Sequence, residues 1–165
     1  MRGIVVSAID QLCYSFERHG YNPTPIIDLG VLIVAADGTV DDKEREVLLD
    51  LFQTLLDATL SAEVVDHLVT ASLEVVEAAG AASRARLIAQ ILVDCDAVEP
   101  GLVVALAVAH ASAGFTSAER IVVERIADGA GLPRTRLEEL VAKVGETLAG
   151  DPVSIRSLLA SRPVS

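Results

Sequence analysis

A chain of 165 residues fits one compact domain and leaves little room for two. Its net charge of −11, with no basic stripe to offset it, repels phosphate backbones and argues against nucleic acid as a partner. An apolar content of 52% excludes a disordered acidic chain, and three Phe, two Tyr and no Trp leave the core to Leu, Val, Ile and Ala.

Taken in order, nearly every segment has helical periodicity. Ile4, Val5, Ala8, Ile9, Leu12, Cys13 and Phe16 recur at three- and four-residue steps and predict a first helix that stops near His19-Gly20, ahead of Pro23. A second helix follows Asn22-Pro23-Thr24-Pro25, runs through Leu29 to Ala36 and ends at Asp37-Gly38. A third begins at Asp41, whose spacing to Glu44 is that of a capping box, with Leu48, Leu51, Phe52 and Leu55 as its inner face. A fourth spans Ser61 to about Ala78, ended by Gly80, and a fifth spans Ser83 to about Asp94. Pro100 at a first-turn position opens the sixth, which closes before Gly114. Its apolar run, Gly101 to Ala109, is far shorter than the roughly 20 residues that span hydrocarbon, so it predicts a buried helix and no direct membrane insertion. Thr116 with Glu119 and Thr135 with Glu138 have capping-box spacing, and Asp151-Pro152 opens a short last helix. No alternating pattern competes. The expected fold is all-α, a compact domain over 1–165 of about eight to nine helices.

The chain also repeats itself. A shift of 75 residues lays Val40 to Val47 over Phe115 to Val122, matching Glu44-Arg45 with Glu119-Arg120 and Val47 with Val122. The apolar helix before each copy aligns as well, Val31 to Ala36 over Leu106 to Ala111. The domain therefore reads as two pseudo-repeated halves, 25–78 and 83–147, with an added N-terminal helix over 1–20 and a C-terminal helix and tail over 151–165.

Residues 37–57 hold seven carboxylates against Lys43 and Arg45. Within them Asp37-Gly38-Thr39-Val40-Asp41-Asp42-Lys43-Glu44 copies the second half of a calcium loop, with a turn glycine and a glutamate six residues later. The leading carboxylates of an EF-hand are replaced by Ile33 and Ala35, so that motif is rejected. A looser oxygen site remains, built on Asp37 and Glu44 with Asp41 and Asp42 as weaker members, and it suits a hard cation such as Ca²⁺ or Mg²⁺. Helix capping alone accounts for Asp41 and Glu44 but leaves Asp37 unexplained. His19, His67 and His110 read as structural, although Glu63 stands one turn before His67. Cys13 and Cys95 form no CxxC pair and read as buried thiols in a reducing cytoplasm. The run Ile4 to Ile9 is broken by Asp10 and Gln11, too short for a signal peptide, so the expected location is cytoplasmic. With no GxSxG, Walker, GxGxxG or HExxH pattern, catalysis has no named actors and the expectation is not an enzyme.

Leu32-Ile33-Val34-Ala35-Ala36-Asp37-Gly38-Thr39-Val40 followed by Glu44 resembles the signature of the tellurite-resistance TerB-like family. Ala109 to Phe115 with Glu119, then Ala130-Gly131-Leu132-Pro133 before Leu137 to Leu140, is similar to that family's second copy. The resemblance covers about residues 25–147. It implies an all-helical domain of two halves, acidic residues that bind a metal, and a non-enzymatic role in tellurite and envelope-stress responses beside membrane-associated protein partners. By position Asp37 and Glu44 match the acidic pair of the first half. In the second half Glu119 matches, but Ser112 stands where an aspartate is expected and Ala113 where a glycine is. The second half-site is thereby weakened. The alternative reading is a metal-free interaction module with an acidic docking face, which, like the first, is compatible with a homo-oligomer.

Overall fold

The computed structural model describes residues 3–20, 24–37, 42, 45–46, 49, 61–112 and 116–149. They contain seven α-helices and no strand: α1 (Gly3–Arg18), α2 (Thr24–Val34), α3 (Ala62–Ala79), α4 (Ala81–Asp94), α5 (Val98–Ser112), α6 (Ser117–Gly129) and α7 (Arg134–Ala149). A 3₁₀ turn (Ala35–Asp37) continues α2. Asp42, Arg45, Glu46 and Leu49, the described residues of the predicted third helix, are also helical. The expected last helix at 151–165 lies outside the described residues.

The core is organised around α5. Leu102 to Ala109 are buried without interruption, as expected of a helix that is apolar all round and enclosed by others. α5 packs against α1, α2, α4, α6 and α7. The first helix lies mainly on α5 and buries Ala8, Leu12 and Phe16. α2 forms the other half of the core, with Leu29 and Val31 to Val34 all buried. α4 and α5 approach closely at Gly101: a Cβ there would lie 2.6 Å from a methyl of the buried Leu92, whose side chain would have to shift.

Local chemistry sets most helix ends. Ser61 caps α3, its hydroxyl accepting from the Val64 amide, and Gly80 at φ +89 separates α3 from α4 with no other residue between them. That backbone region is open only to glycine at low cost. Because Gly80 turns the chain alone, α4 starts at Ala81, two residues before the expected Ser83. α5 begins at Val98, which makes Pro100 its third residue. It still stands within the first turn, where no amide is needed. The expected cap at Thr135 is not formed: α7 begins at Arg134, the Leu137 amide donates to the Pro133 carbonyl, and Thr135 is inside the helix. Pro133 fixes the entry two residues earlier than a Thr135 cap would allow, and Glu138 is drawn to Arg120 instead.

Candidate functional site

Asp37 closes the 3₁₀ turn that follows α2, and this turn packs against both α2 and α6. The turn ending at Asp37 therefore rests on the helix that carries Glu119. Asp42 is helical and exposed. Asp41 and Glu44 lie outside the described residues, as does the inner face Leu48, Leu51, Phe52 and Leu55. Leu49 packs on the core, and Asp42 and Glu46, one turn apart, face solvent.

Ser112 is the last residue of α5. Glu119 is 4% exposed and engaged in a complete capping box. Its Oε1 accepts from the Thr116 amide at 3.0 Å and the Thr116 hydroxyl at 2.9 Å, while its own amide donates to Thr116 Oγ1 at 3.2 Å. A carboxylate oxygen held this way serves the helix N-terminus, where negative charge is also favoured by the dipole.

Four arginines each pair with a carboxylate on a neighbouring helix. Arg45 donates through Nε to Asp66 Oδ1 at 2.7 Å and through Nη2 to Thr70 Oγ1 at 2.6 Å, tying its helix to α3. Arg120 of α6 pairs with Glu138 of α7 and, more distantly, with Glu124. Arg134 grips Asp128 with two parallel bonds of 3.1 and 3.0 Å and also reaches Glu124. Arg136 binds Glu99 of α5 at 2.6 Å and Glu139 at 2.7 Å. Two arginines in the first turn of α7 oppose its dipole; the carboxylates of α5 and α6 that they meet offset this. The guanidinium beside each holds the Glu99 and Asp128 carboxyls below the usual range.

A further polar group lies between α2, α3 and α4. Asp28 accepts from the Ser72 hydroxyl at 2.7 Å and pairs with Arg84 at 3.1 Å, with side chains 20% and 16% exposed for Asp28 and Arg84. No sequence motif marks this group. One signal was present, a lone carboxylate within the apolar run Ile26-Ile27-Asp28-Leu29, which packing could tolerate only with a partner. Ser72 and Arg84 sit 44 and 56 residues further on, with no local pattern to reveal them.

The histidines are dispersed. The His19 ring lies 2.8 Å from the Ser15 carbonyl, where Nδ1–H donates at the end of α1. His67 is exposed on α3 and burial pushes His110 of α5 down. Cys95 is a buried free thiol at the end of α4, raised by burial and by Asp94. Among the described residues, no three His, Cys, Asp or Glu are grouped to hold a metal ion, and no helix is long and apolar enough to cross a membrane. A groove of about 180 Å³ between α1, α5 and α7 is lined by residues including Gln11, Glu99, Arg136 and Lys143. Compared with family models, curated proteins and solved structures, the chain matches none.

Proposed function

We propose that the chain is a TerB-like, non-enzymatic cytoplasmic module of two pseudo-repeated helical halves. In this reading it serves stress responses of the tellurite and envelope type by docking protein partners, membrane-associated ones included. Its first half holds one divalent cation, Ca²⁺ or Mg²⁺, through Asp37 and Glu44, with Asp41 and Asp42 nearby. The observation that carries the two-half reading is a matched pair of arginine clamps. Arg45 and Arg120 stand 75 residues apart, and each reaches the fifth residue of the helix that follows, Asp66 of α3 and Glu138 of α7. Asp42, Arg45, Glu46 and Leu49 shifted by 75 fall on Ser117, Arg120, Ile121 and Glu124, helical in both copies. Asp66 and Glu138 are 72 apart, so the second copy has a connection shorter by three residues, close to one helical turn.

The cation belongs to the first half because Glu119 is already engaged. Its Oε1 accepts from the Thr116 amide and hydroxyl, and a serine stands at 112. When bound, the ion would draw the acidic turn toward the helix behind it through oxygen ligands. The test is a melting curve with and without millimolar Ca²⁺ or Mg²⁺, since a ligand of the native state raises stability by mass action, about 2.7 kcal/mol at a hundredfold excess over Kd. A rise that disappears in Asp37→Asn with Glu44→Gln supports the reading; an identical rise in that variant removes it.

A metal-free docking module is the second reading, favoured by one observation: Asp42 and Glu46 present two carboxylates to solvent on one helical face. Such a face suits a basic partner, with association that weakens as salt rises. A melting temperature indifferent to both cations, with salt-sensitive partner binding lost in Asp42→Lys with Glu46→Lys, would favour it.

A further inference from the structure

We draw no further inference here: the strongest candidate, the groove of about 180 Å³ between α1, α5 and α7, has its Arg136 guanidinium and Glu99 carboxylate bonded to each other, and nothing in the structure shows what occupies or covers it.

Discussion

Glu119 is buried and Asp28 half-buried, two carboxylates that packing shelters from water for different purposes. Glu119 completes a cap, so Glu119→Ala should cost about 0.5–1 kcal/mol and leave cation affinity unchanged, as read by urea melts beside a calcium titration. Loss of cation binding in that variant would mean that Glu119 contributes to the cation site. Asp28 joins three helices, and its removal strands Arg84 and the Ser72 hydroxyl. Asp28→Ala is expected to cost about 1–3 kcal/mol. In a double-mutant cycle with Arg84→Ala the two losses should be non-additive by about 0.5–3 kcal/mol. Strict additivity in that cycle would show that the ion pair contributes nothing.

At the scale of elements, glycine separates two kinds of position. Gly80 occupies a backbone region that side chains avoid, with nothing within 4 Å of where a Cβ would lie, so Gly80→Ala should lose about 1–3 kcal/mol through strain alone. Gly145 lies inside α7, also with open space around it and with no positive φ. Gly145→Ala should therefore stabilise by about 0.5–1 kcal/mol, through helix propensity and a less flexible unfolded chain. Thermal melts of both variants check the contrast, and a destabilised Gly145→Ala would contradict the helix placement. Elements were also where the sequence was most legible. The all-helical class, the buried run through Ala109 and the Thr116–Glu119 box follow from local periodicity and short-range spacing, and all three are present in the fold. Thr135 misled because capping-box spacing is satisfied by any Thr and Glu three apart, and Pro133 decided the actual entry. The arginine clamps were invisible for the opposite reason: Arg45 and Asp66, or Arg136 and Glu99, meet only after distant helices pack. Of the site, the sequence supplied the Asp37 turn and the Glu119 helix as separate features. Their approach depends on α6 packing under the turn.

For the whole molecule, pH acts through groups of opposite charge with the same sign of effect. His110 is held below its ordinary value by burial, so the unfolded chain takes up a proton first. Stability should fall as pH drops below about 6.5 and level off once the folded form is protonated. Glu99 and Asp128 are lowered by their arginines; their contribution is present above the unfolded carboxylate values and is lost as pH falls through the folded ones. The melting temperature is thus expected to decline in two stages on acidification, and His110→Gln should flatten only the upper one. A decline between pH 7 and 5 that is unchanged in His110→Gln would contradict this assignment. The net charge of −11 adds general self-repulsion near neutrality, which salt should relieve.

The asymmetry between the halves is the central claim, and calorimetric titration of the purified chain with Ca²⁺ and Mg²⁺ tests it most directly. The account predicts a stoichiometry of one, abolished in Asp37→Asn with Glu44→Gln and preserved in Glu119→Ala. Two equivalent sites, no binding of either ion, or binding that survives the double substitution would contradict it.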